Sequence, residues 1–199
     1  MRIVFLILLS LILLTAFKNT QRLKRPNDII CTLTSDKKIY KIGELPKLKI
    51  QISNNTKTDI YLIGSLDGSD VKWRFPYCYY TIDKPKADTI RFERCGNKNT
   101  LRLEDFQLVK AGGNFDPYEN VGVYGFFQDH NITNQKSFRN TGIYKIKFHY
   151  STNSDKLEDY TGDKIFQNNK QYSIKIASFF KQVPKLDIQS NEIEITFTK

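Results

Sequence analysis

Acid–base, nucleophilic or metal chemistry at neutral pH draws on histidine, cysteine and paired carboxylates, and the chain is sparing with the first two: His130, His149, Cys31, Cys78 and Cys95. His149 stands with Lys145 and Lys147 on the polar positions of an alternating run, where an exposed surface histidine is expected rather than a general base. His130, in Gln128-Asp129-His130-Asn131, has a loop context that suits a ligand slightly better, and it too reads as a surface residue. A Cys–His nucleophile pair would need Cys31 beside a histidine, and nothing in the local sequence supports that. No two cysteines or histidines stand at ligand spacing, so no metal site is expected. The nucleophile elbow, the zinc-binding His-Glu-x-x-His helix, the phosphate-binding glycine loop and the dinucleotide fingerprint are all missing from the chain. Glu93, Glu104, Asp105, Asp116, Glu119 and Asp129 offer carboxylates for glycoside hydrolysis, but residue type without a spatial separation identifies no pair. Asp67-Gly68-Ser69-Asp70 lacks the ligand alternation of a calcium-binding EF-hand and reads as a plain turn. The expectation is no enzyme, no catalytic residue, no cofactor and no metal.

Aromatic residues are the remaining candidates for recognition. The segment from Asn114 to Asn131 sets Phe115, Tyr118, Tyr124, Phe126 and Phe127 among polar residues and glycines, and exposed rings of this kind stack on sugars or anchor protein partners. A second aromatic run, VKWRFPYCYY over 71–80, places Val71, Trp73, Phe75, Tyr77 and Tyr79 on alternate positions. That spacing predicts a half-buried strand with Trp73 in its core-facing row and Cys78 and Tyr80 on the opposite face. Pro76 lacks a ladder donor, which puts the strand at a sheet edge or a bulge.

Export sets the context for the cysteines. Arg2 precedes an apolar or small run of fifteen residues, Ile3 to Phe17, that closes on Leu14-Thr15-Ala16, the layout of a secretory signal peptide at 1–17. At a rise of about 1.5 Å per residue that run spans roughly 22 Å, short of a bilayer core of about 30 Å. Residues 18–27 form a polar lead-in, and 28–199 suffice for one domain and leave little room for a second. No later apolar run reaches spanning length. In an exported chain three cysteines permit one disulfide. Cys78 with Cys95 is the favoured pair, its loop closure contributing about 3 kcal/mol, and Cys31 then becomes a small buried residue; Cys31 paired with Cys78 or Cys95 is the alternative. The net charge of +10 comes from Lys outnumbering Arg 23 to 8. The lysines are scattered over polar strand faces, without the Arg clusters and recognition helix that nucleic-acid readout favours. Asn54-Asn55-Thr56 and Asn131-Ile132-Thr133 match the glycosylation sequon, which carries little weight in a bacterial exported chain.

The elements that must carry these residues are strands. Leu48 to Ser53, Tyr144 to Tyr150 and Ile193 to Phe197 alternate cleanly, and Ile29 to Thr34, Ile60 to Ile63, Thr89 to Glu93 and Tyr172 to Ile176 are shorter candidates. Leu101 to Val109 is ambiguous around Asp105. Residues 112–140 and 153–170 are long polar insertions, the second with room for one helical turn. One polar face per strand marks antiparallel sheets covered on one side, and many short strands favour an all-β, two-sheet antiparallel sandwich.

Asn140-Thr141-Gly142-Ile143-Tyr144-Lys145-Ile146 resembles the lead-in to the sixth strand of immunoglobulin-like domains, with Ile146 where their cysteine stands. Tyr40-Lys41-Ile42-Gly43-Glu44 before Leu48-Lys49-Ile50, and Ser190-Asn191-Glu192-Ile193-Glu194-Ile195, are similar to the second and last strands of exported Ig-like β-sandwich proteins of the bacterial envelope. The resemblance implies an Ig-like sandwich in which the Tyr144 hydroxyl bonds back to nearby backbone, and, with Ile146 in place, no inter-sheet disulfide. It implies a fold and no activity, because such domains adhere, bind carbohydrate, inhibit or scaffold. The expected function is an exported, non-enzymatic, monomeric domain that binds a protein or glycan partner in the cell envelope, without nucleic acid. A proteinase inhibitor on a sandwich scaffold and a small carbohydrate-active enzyme are the alternatives.

Overall fold

Alternation of apolar and polar residues decides most of the elements. The computed structural model describes residues 28–85, 100–119, 138–162 and 170–199. The strands are β1 (Ile29–Ser35), β2 (Ile39–Lys41), β3 (Leu48–Asn54), β4 (Ile60–Ile63), β5 (Tyr77–Asp83), β6 (Phe106–Val109), β7 (Asn114–Phe115), β8 (Gly142–Ser151), β9 (Asp187–Gln189) and β10 (Ile193–Thr198), with one α-helix, α1 (Lys170–Phe180). Among the described residues the chain is thus mostly strand, as expected. The expected strand Thr89 to Glu93 lies outside the described residues.

One sheet has the order β1-β3-β7, antiparallel throughout. An antiparallel pair, β4 with β6, adjoins it at Asn54. There the Asn54 amide donates to the Gly113 carbonyl at 2.9 Å and its carbonyl accepts from the Gly112 amide at 2.7 Å. The second sheet runs β2-β10-β8-β5, with β9 beside β10 on the same edge of β8. Its pairs are antiparallel except β2 with β10, which is parallel. Ile29, Cys31, Leu33, Ile50, Ile52 and Phe115 from the first sheet meet Tyr40, Cys78, Tyr144, Ile146, Phe148, Tyr150, Ile195 and Phe197 from the second in one buried cluster. The alternating runs are therefore the inner faces of two sheets sharing a core.

Polar clasps join the sheets where apolar contact alone would let them slide. Tyr150 of β8 donates its hydroxyl to the Ile63 carbonyl at 2.8 Å and accepts from the Ile63 amide at 3.2 Å, both buried. Asn191, between β9 and β10, accepts from the Leu33 amide at 2.9 Å and donates to the Leu33 carbonyl at 3.0 Å. Its side chain occupies part of the outer edge of β1, which is otherwise open to another strand. The Tyr144 hydroxyl donates to the Asn140 carbonyl at 2.8 Å and accepts from the Asn140 amide at 3.2 Å, the local bond back to backbone expected of it.

Helix α1 replaces the expected strand Tyr172 to Ile176. KQYSIKIASFF satisfies both periods, since positions 172, 174 and 176 alternate while 172, 176 and 180 repeat every four residues. The helix wins because Ile176 and Phe180 both face a second buried cluster with Ile63, Leu101, Phe106, Tyr160 and Val183, and Ile174 is left 54% exposed. Pro184 follows its last turn. The ambiguous stretch Leu101 to Val109 divides into a 3-10 turn, Leu103–Asp105, and β6. Residues 157–160 form the single helical turn foreseen in the second insertion. No helix among the described residues is long and apolar enough to cross a membrane.

Candidate ligand-binding face

Two of the five loop aromatics are described, and both turn inward. Phe115 is 3% exposed in β7 and meets Tyr150 edge-on at 6.0 Å. Tyr118 packs edge-on against Phe148 at 5.8 Å and donates its hydroxyl to the Cys78 carbonyl at 3.2 Å. Their rings serve the core, which leaves little of either for a partner. Tyr124, Phe126 and Phe127 lie outside the described residues.

The expected disulfide between Cys78 and Cys95 is corrected: Cys78 is a free thiol, fully buried between the sheets, and Cys31 is a second buried free thiol. The phase of β5 explains this, because Cys78 turns into the core that holds Cys31, beside Tyr150 of the paired strand β8, rather than to the outside. Cys95 lies outside the described residues. Burial pushes the Cys31 thiol up to about 12, and burial raises Cys78 well above its ordinary value, so both are protonated and inert. The sequon residue Asn54 is 1% exposed, with its amide nitrogen donating to the carbonyls of Thr58, Val109 and Lys110 at 3.0, 3.0 and 3.1 Å. It is a sheet-joining residue that offers no nitrogen for a glycan.

VKWRFPYCYY departs most from expectation. Only Tyr77 onward is strand; 71–76 is a chain of turns and bends. The even positions Arg74, Pro76 and Cys78 are the buried ones, so the phase runs through Pro76 with its sides exchanged relative to the expectation. Arg74 is buried at 3% and Trp73 is 48% exposed, the reverse of the predicted row. Trp73 is the only exposed aromatic residue among those described. Leaving roughly 100 Å² of indole in water forgoes about 2.5 kcal/mol, which a stacked ligand could recover.

The loop beneath Trp73 is built rather than loose. The Trp73 amide donates to the Gly68 carbonyl at 2.9 Å, Ser69 to Leu66 at 3.0 Å and Cys78 to Ser69 at 3.1 Å. The buried Ser69 hydroxyl accepts from the Leu66 amide at 2.9 Å, and the Phe75 amide donates to the Asp159 carbonyl at 2.9 Å. Gly68 sits at φ +82°, and a Cβ there would lie 3.3 Å from the Trp73 Cβ. The tight turn brings its backbone against the base of the indole.

Lys72, the residue before Trp73, reaches an ordered row on the outer face of the second sheet. Tyr79 of β5 is opposite His149 of β8, which is opposite Gln189 of β9. The Tyr79 and His149 rings are parallel within 2° at 4.5 Å, and the Lys72 ammonium lies 3.9 Å from the centre of the Tyr79 ring. Both cannot share one face of the phenol, so the ring is sandwiched between imidazole and ammonium, a favourable stack and cation–π pair. Lys72 reaches this position from φ 60°, a conformation lysine rarely adopts.

His149 Nε2 lies 3.0 Å from Gln189 Nε2 and 3.1 Å from Thr81 Oγ1. An amide nitrogen only donates, so Nε2 accepts and the ring proton is assigned to Nδ1. Burial first, then the Lys72 ammonium, hold the imidazole below the usual histidine value, and it is neutral at pH 7. The face therefore offers an open indole, one exposed ammonium and a fixed set of neutral hydrogen-bonding groups. Among the described residues the hydrogen-bond partners of the His149 ring are the Thr81 hydroxyl and the Gln189 amide, and no carboxylate is within hydrogen-bond distance of it. Among those residues, too, no three His, Cys, Asp or Glu side chains gather as metal ligands.

A sequence reading could have found Tyr79 and His149, since His149 was already on the polar side of its strand. Trp73 was missed because alternation gives a period without saying which side faces the core, and the even positions 74, 76 and 78 turn out to be the buried ones. No protein-family model matches the chain, and searches of curated proteins and of solved structures return no match either, so its functional reading rests on this geometry.

Proposed function

We propose that the chain is an exported, non-enzymatic Ig-like domain that binds a glycan partner in the cell envelope through the face around Trp73. The Ig-like assignment is supported by the division of the first strand between the two sheets, β1 in one and β2 in the other, by the parallel pairing of β2 with β10, and by the Tyr144 bond to Asn140. Export is supported by the signal-like segment 1–17.

The observation that carries the binding reading is the half-exposed Trp73 held on a hydrogen-bonded loop whose adjacent residue, Lys72, reaches the Tyr79-His149-Gln189 row. A rigid indole pays little entropy on binding and suits the flat apolar face of a pyranose. Trp73 is the single tryptophan of the chain, so its fluorescence reports this face alone. Titration with saccharides drawn from envelope polymers is expected to change that emission saturably, and Trp73→Ala is expected to abolish retention on the same polymers without lowering the melting temperature. Retention unchanged by Trp73→Ala would refute the reading.

A further inference from the structure

We infer that the saccharide taken by the Trp73 face is acidic, a hexuronic acid whose carboxylate pairs with Lys72 while its ring lies on the indole; this rests on the reading of that face as a glycan site. On the outer face of the second sheet the other central lysines are already engaged. Lys145 pairs with Glu192 at 3.5 Å and Glu194 at 3.3 Å, and Lys147 with Glu192 at 3.2 Å. Lys72 has no carboxylate partner among the described residues and touches only the Tyr79 ring. Its ammonium is exposed, seated against the Tyr79 ring and without a carboxylate partner, and so is open to an incoming anion.

Lys72 and Trp73 are chain neighbours with Cα atoms about 3.8 Å apart, and both side chains are exposed. The Tyr79 hydroxyl and the Gln189 carbonyl make no hydrogen bond among the described residues and suit sugar hydroxyls. One point-like ammonium matches the single charge of a carboxylate, whereas phosphate recognition favours Arg forks or several cations. Asp187, the carboxylate that acts on His149, belongs to β9, two strand spacings from β5. At about 10 Å, near one Debye length in physiological salt, it opposes the ligand only weakly. The net charge of +10 draws acidic polymers toward the molecule as a whole.

The test is titration of the full chain with trigalacturonate and with neutral trigalactose, followed by Trp73 fluorescence and calorimetry. Binding of trigalacturonate at least tenfold tighter is expected. Lys72→Asn, which tolerates the left-handed backbone and removes the charge, is expected to bring the two affinities together. Equal affinities in the parent chain, or an acidic preference that survives Lys72→Asn, would overturn the acidic assignment and leave the glycan reading intact. Acetate alone producing the same emission change would also overturn it, since Lys72 would then be a bare anion site. No response to either sugar, with envelope polymers likewise unretained, would remove the glycan reading itself.

Discussion

At Gly68 the backbone stands at φ +82°, with the Trp73 side chain directly above where a Cβ would be. Gly68→Ala meets two costs, the left-handed conformation and a push against a Cβ that cannot swing away, together about 1–2 kcal/mol. Denaturant unfolding is expected to register that loss, and the Trp73 emission maximum to shift in the native state, because the same turn seats the indole. His149 gives a second residue-scale expectation. Its folded-state value is depressed, so below its ordinary value of about 6.5 the unfolded chain takes up a proton that the folded chain refuses. The stability it contributes is therefore present above that value and falls away as the pH drops toward the folded value. In His149→Gln this loss disappears, so the stability gap between parent and variant narrows from pH 7.5 to pH 5.5; a gap that widened would contradict the burial and Lys72 terms.

Elements were legible where one period excluded the other. Tyr144 to Tyr150 alternates over seven residues with lysines between, and nothing but a strand with one wet face accommodates it; β8 has that face. Residues 172–176 fit both periods, and only tertiary packing of Ile176 and Phe180 on Leu101 and Phe106 chose the helix. The same limit hid Trp73, whose side of the chain depends on turns at 67–76 that no period describes. Loop aromatics such as Phe115 carried no sign in sequence of the inward turn that a two-residue pairing with β3 imposes. The helix makes its own prediction. Ile176→Ala opens a cavity in the smaller cluster and is expected to cost about 3 kcal/mol in chemical denaturation. Saccharide retention is expected to survive in the folded variant, since Trp73 itself packs in neither cluster, while its emission is expected to shift because Leu66 and Phe75 of its loop pack against the cluster that Ile176 leaves. Loss of retention in a folded Ile176→Ala chain would mean that α1 helps shape the site.

For the molecule as a whole, the two free thiols bear on how the two sheets are held together. Small exported domains commonly rely on a disulfide because their cores are limited. Here Cys31 and Cys78 instead fill core positions between the sheets, with Tyr150 and Asn191 supplying polar clasps from one sheet to the other. Stability then follows from packing and not from oxidation. Thiol reaction requires the thiolate and access to it, and burial denies both at these positions. Iodoacetamide applied to the native chain is therefore expected to leave Cys31 and Cys78 unmodified through many half-times for a free thiol, and to alkylate both once concentrated guanidinium chloride unfolds the domain. Peptide mass spectrometry reads each cysteine separately, so Cys95 does not confuse the result. Because alkylation has to wait for opening of the sandwich, the labelling rates of the two thiols should agree with each other and with the global unfolding equilibrium. Faster labelling of Cys78 than of Cys31 would locate a local opening at β5, beneath the loop that carries Trp73, and would make the binding face the weakest part of the fold.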